Sequence, residues 1–168
     1  MALSLLLYPA ADDELRRFER DPATLTAWLR GAGAEGRGGG ASLHEYWRSL
    51  HALLTQPPRR PELPWSALVS GDLRFPSAGA RGGHGCLGAT VRALARAVGQ
   101  LPRPEIESFA QEEWAEFARK TGRAAEITGL QLRSRTEELV LYLYKLRAVA
   151  ERAALVDQGL LFLLREDW

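Results

Sequence analysis

The chain predicts an α+β domain in which a small mixed β-sheet, including strands from both ends of the chain, is covered by five to six α-helices. Three observations point there. Short, wholly apolar runs stand near the two ends, at residues 2–8 and 160–164. Between them lie segments whose apolar residues recur at helical spacing. Proline- and glycine-rich stretches separate those segments. Strands that are apolar on both faces need cover on both sides, and helices supply it. The 168 residues show no internal repeat and read as one domain, 1–168.

The elements follow in order. Residues 2–8 (ALSLLLY) form a buried strand closed by Pro9. Asp12 then precedes a short helix with Leu15 and Phe18 on one face and acids in its first turn. Asp21 followed by Pro22 is a second start signal, for a helix carrying Leu25, Trp28 and Leu29 and ending at Gly31. The glycine-rich stretch 31–40 lacks the preceding strand and the Gly-Lys-Ser/Thr ending of a phosphate loop, so it reads as a surface loop.

Ser42 and Glu45 make a capping box for a central helix over 43–55, whose wide apolar face holds Leu43, Tyr46, Trp47, Leu50, Leu53 and Leu54. Residues 57–64 are stiffened by proline and extended. A short strand is expected at 65–69, then a long loop or small hairpin over 70–85. Val91, Leu94, Ala95, Val98 and Leu101 mark an amphipathic helix over 89–101. The next helix, 105–119, is expected to turn Ile106, Phe109, Trp114 and Phe117 inward and Glu112, Glu113 and Glu116 outward, with Gly122 as its stop. Ser134 and Glu137 read as a second capping box, opening the longest helix at 135–155. Residues 139–144 are apolar all round and fit a strand or a helix; the capping box and the continuing stripe favour helix. Residues 160–164 close the chain as a buried strand.

Composition excludes several classes. There are 22 Lys+Arg and 21 Asp+Glu, a net charge of +1, with 46% hydrophobic residues. That balance is not the basic surface of a nucleic-acid binder, and that apolar fraction is not a disordered chain. The charge is uneven, with an excess of Arg before residue 103 and of acids after it, but neither part is polarised enough to name a partner. The single cysteine, Cys86, excludes an internal disulfide and fits a reducing compartment. The apolar run at 3–7 has no basic residues before it and is too short for a signal peptide or a membrane span. The expected location is the cytoplasm, with no membrane and no nucleic acid as partner.

Candidate chemistry is sparse. His44 and His51 lie seven apart, too far to grip one zinc ion from one helix, so no metal is expected. His51 titrates near neutrality and is the candidate acid–base group, set against packing on backbone. His84 and Cys86 pair a thiol with a nearby base, set against a simply packed cysteine. The glutamates at 112, 113 and 116 fit a solvated face, with Lys120 placed to pair with Glu116. Arg119, Lys120 and Arg123 cluster near a helix end, where cations complement the dipole. Trp28, Trp47, Trp65 and Trp114 suit core positions, and Trp168 is a candidate anchor for a partner.

The order of these features resembles the bacterial YfbM-like family, a domain of unknown function. The resemblance spans nearly the whole chain. It rests on the opening strand 3–8 and helix 12–18; on Trp47, Leu50, His51 and Thr55 in a Trp-His-x-Leu-His…Thr pattern, with Arg48 in place of the first histidine; and on the long helix 138–152 with the closing strand 159–164. It implies an α+β fold and a soluble cytoplasmic bacterial protein, and it carries no activity, cofactor or catalytic residue. Arg48 argues against a two-histidine site.

Two functions fit. The first is a non-catalytic protein-interaction or accessory module, for example one that binds a toxin in the manner of an immunity protein. The alternative is a small-molecule binder or enzyme whose site gathers Trp47, His51 and the 70–86 loop, with Arg48, His84 and Cys86 as further candidates. No cofactor is expected in either case, and oligomeric state is left open.

Overall fold

The computed structural model describes residues 2–31, 40–59, 62–76, 82–122 and 129–167. Most of the glycine-rich stretch, Arg123 and Trp168 lie outside the described residues. The described elements are β1 (Ala2–Ala10), α1 (Asp12–Arg20), α2 (Pro22–Gly31), β2 (Ala41–Ser42), a 3-10 turn (His44–Tyr46), α3 (Trp47–Thr55), β3 (Leu73–Phe75), β4 (Gly83–Cys86), α4 (Gly88–Gly99), α5 (Arg103–Thr121), α6 (Gly129–Leu155) and β5 (Gly159–Asp167).

The strands form one five-stranded sheet in the order β2-β1-β5-β4-β3. The two apolar ends of the chain are its centre: β1 and β5 pair from Ala2 opposite Asp167 to Ala10 opposite Gly159. Every described pairing is antiparallel, which corrects the expected mixed sheet. The expectation failed because an apolar run on both faces signals two-sided cover, the usual condition of parallel strands. Here helices cover both faces of an antiparallel sheet instead.

Alternation along β1 and β5 sorts their side chains between two cores. Leu5, Leu7, Leu160 and Phe162 face a large cluster built by α3, α4, α5 and α6, with Leu50, Leu54, Val91, Leu94, Ile106, Leu143 and Leu146 at its heart. Ala10, Leu161 and Leu163 face a smaller one, closed by Leu15 and Phe18 of α1, Leu25 of α2, and Leu73 and Phe75 of β3.

Capping explains several boundaries. Glu14 reaches back to the N–H of Ala11 at 3.1 Å, and Asp21 accepts from the N–H of Ala23 at 3.0 Å, each satisfying a free donor at a helix start. Gly122 takes φ 69° at the end of α5 and donates its N–H to the carbonyl of Arg119. Other boundaries moved. The expected helix at 43–55 begins only at Trp47, because Leu43 donates its N–H to Leu5 on the sheet and His44 takes φ 43°. Ser42 lies in β2 and its hydroxyl accepts the N–H of His44 instead of completing a capping box. α6 starts at Gly129, so Ser134 is inside the helix and caps nothing. Residues 65–69 form successive turns, with Val69 and Ser70 donating back to Ser66, where a strand was expected. Phe117, expected inward, is 48% exposed, and Trp114 is half-buried. The 70–85 segment holds the anticipated small hairpin, β3 and β4.

Candidate functional site

Pairing across the sheet places Arg74, His84 and Phe162 side by side on the face that carries the larger core. The Leu73-Arg74-Phe75 triplet explains Arg74: two buried apolar residues flank it, so its own side chain stands on the opposite face, exposed. Phe162 is fully buried. His84 lies flat against it, ring centroids 4.8 Å apart and planes 7° from parallel.

His84 is held at a second point. Its Nε2 lies 2.8 Å from the carbonyl of Ala67. A carbonyl only accepts, so Nε2 carries the proton. Burial lowers the imidazole pKa from 6.5, and the bond to Ala67 opposes that only in part. The ring is neutral at neutral pH.

Between this row and α3 lies a cleft of about 770 Å3. Leu5, Phe162 and Leu164 line it from the sheet, Trp47 from α3, and Leu68 to Gly71 from the turns after residue 65. Trp47 is anchored by donating its indole N–H to the carbonyl of Leu3 at 3.1 Å. Gly71 passes so close to β4 that a Cβ there would come 2.5 Å from the carbonyl oxygen of Gly85. The cleft lining is mostly apolar.

The sequence-derived candidates divide. Trp47 and His84 meet in this cleft. His51 is not among its lining residues: it is half-buried on α3, its Nδ1 is enclosed without a hydrogen-bond partner, and burial lowers its pKa. Arg48 stacks on the Trp47 ring at 5.2 Å and lines a different groove. Cys86 is fully buried and its pKa is pushed up to about 12, first by burial and then by the charge of Asp72. Its Sγ approaches the carbonyl of Ser70 at 3.9 Å, so the thiol stays protonated and packed. His84 and Cys86 therefore make no nucleophile–base pair, since the imidazole is committed to Phe162 and Ala67.

Two surface features escaped the sequence reading. The groove beside Arg48 gathers Tyr46, Trp114, Phe117 and Arg135. Arg135 lies over both Trp114 and Tyr46 and donates to the Tyr46 hydroxyl at 2.6 Å; that hydroxyl donates to Glu138. The outer face of α6 and the turn after it expose Leu141 (52%), Tyr144 (56%), Leu155 (85%) and Val156 (64%). The first three stand at helical spacing on one side, a signal present in the sequence but absorbed there into an all-round apolar run. Among the described residues no group of three or more His, Cys, Asp or Glu side chains could hold a metal ion. Nor, among them, is any helix long and apolar enough to cross a membrane.

No family model matches the chain, and no curated protein sequence does. Among solved structures it is similar to the crystal structure of YfbM from Escherichia coli, described as a protein of unknown function. The match covers 98% of this chain and 100% of that one, with a TM-score of 0.63 at 12% identity. The chain thus has the YfbM fold, and the α+β architecture implied by the family resemblance is borne out.

Proposed function

We propose that the protein is a non-catalytic interaction module whose docking surface for a protein partner is the outer face of α6. The observation that carries this reading is the exposed apolar row of Leu141, Tyr144 and Leu155, continued by Val156. Scattered exposed apolar residues are ordinary, but a row along one helix face suits the apolar centre of an interface. Arg92 and Arg96 flank its C-terminal end, across an open groove that Leu155 and Glu151 also line. A partner with an apolar strip and acidic residues at one end would complement it.

The test is co-expression of the tagged protein with the products of the genes that flank its own, followed by co-purification. A partner retained by wild type and lost from the Leu141→Asp, Leu155→Asp double variant supports the reading. A partner retained equally by both overturns it. Both changes fall on exposed side chains, so thermal melts should show that the variant stays folded.

The cleft supports a second reading, small-molecule binding. What supports it is that Trp47, Gly71, Arg74 and His84 line one cleft, with His84 there and His51 not.

A further inference from the structure

The lining of the cleft carries information about what it would hold. Arg74 is the one charged residue among the described residues that line it. No described residue makes an ion pair or hydrogen bond with the Arg74 side chain. Its neighbour across the β3–β4 ladder is His84, which puts the two Cβ atoms about 5 Å apart. The Nε2–H of His84 is engaged by Ala67, and its Nδ1 makes no hydrogen bond among the described residues. The described lining therefore offers one cation with an imidazole beside it. Elsewhere it offers flat or aliphatic surfaces, the half-buried Trp47 indole and Leu164, backed by the fully buried Phe162 and Leu5.

We propose that this cleft binds a small aromatic carboxylic acid, with its carboxylate on the Arg74 guanidinium and its ring against the Trp47 indole and the Leu164 side chain. The proposal rests on the small-molecule reading above and adds the ligand class. A guanidinium matches a carboxylate in a two-point fork, and an unpaired one beside an apolar wall favours a single negative charge on an apolar body. A cationic ligand would be repelled. Aromatic rings suit the space, since they pack by offset stacking or edge contact against an indole. A volume of about 770 Å3 accommodates one to three fused rings.

The experiment uses 2-naphthoate and its neutral counterpart naphthalen-2-ylmethanol. Each is titrated calorimetrically into wild type and into Arg74→Gln, with the tryptophan indole N–H signals followed by NMR. The Arg74 side chain is exposed and makes no hydrogen bond or ion pair with a described residue, so the variant should fold normally. The expected result is that 2-naphthoate binds, moves the Trp47 indole signal, and loses about tenfold or more in affinity in Arg74→Gln, while the alcohol binds both proteins equally and more weakly. Equal binding of acid and alcohol, or an acid affinity indifferent to Arg74→Gln, overturns the carboxylate assignment and leaves the small-molecule reading standing. Binding that moves other indole signals and not that of Trp47 overturns the location. Binding of neither probe overturns this proposal and the small-molecule reading together.

Discussion

The carboxylate of Asp12 accepts the backbone N–H of Gly88 at 2.9 Å, joining the first turn of α1 to the first turn of α4 across 76 residues of chain. Asp72 accepts the N–H of Leu87 beside it at 2.7 Å. Two donors at the start of α4 that no intrahelical carbonyl can reach are thus satisfied by carboxylates from distant segments, at the positive end of the helix dipole. Gly88 is buried, so its N–H has no ready substitute in water.

Asp12→Ala should therefore destabilise the fold by about 1–2 kcal/mol, with Asp12→Asn costing less because the amide oxygen still accepts. Urea unfolding measures both. An unchanged midpoint for Asp12→Ala would mean that water or another group replaces the carboxylate.

His84 makes stability depend on pH in a set direction. Its folded pKa lies below the unfolded 6.5, chiefly through burial. Between those two values the unfolded chain binds more protons than the folded one, so stability rises with pH through the window. It is fully present above 6.5 and is lost progressively as pH falls below it. His51, lowered by burial, acts in the same sense. The slope of stability against pH in this range should be smaller in His84→Gln than in wild type, as read from unfolding midpoints across a pH series. An equal slope would assign the effect to His51 alone.

Cys86 should be inert in the native state. With its pKa pushed up to about 12 and its side chain fully buried, almost none of it is thiolate at pH 8. An aromatic disulfide reagent should release its chromophore only after denaturant is added. Rapid stoichiometric reaction of the folded protein would show that β4 opens readily.

Phe162→Ala should cost about 3–5 kcal/mol, the usual penalty for emptying a buried aromatic position. It also strips the stacking partner from His84. Letting water reach the imidazole would raise its pKa toward 6.5, which an NMR titration of the ring protons would show.

Tyr46→Phe removes a hydroxyl that donates to Glu138 and accepts from Arg135. The site is partly exposed, so a loss of about 1 kcal/mol is expected. A double-mutant cycle with Glu138→Gln should give a coupling energy above zero. Additive effects would mean that the pair contributes no net stability.

Much of this was legible along the chain, because the responsible interactions are local. The apolar runs at both ends identify β1 and β5, whose side chains are buried on both faces. Asp21 caps α2 from two residues away, and Gly122 ends α5 at the one backbone conformation that favours glycine. Period and capping act within a few residues, so a single sequence displays them.

What the tertiary structure alone decided involves partners far apart in the chain. Nothing near Asp12 shows that its carboxylate serves Gly88, nor does anything near Ser42 show that Leu43 is tied to the sheet by Leu5. Strand direction depends on how the helices return the chain, and an apolar run reads the same whether its neighbour is parallel or antiparallel. The cleft is the clearest case. Leu5, Trp47, Arg74, His84 and Phe162 come from five separate segments, and only sheet register and helix packing make them one surface. His51 shares a helix with Trp47 and still misses that surface, because α3 meets the cleft with its first turn. Local chemistry selects the elements; long-range packing, a property of the whole chain, selects which of their residues share a site.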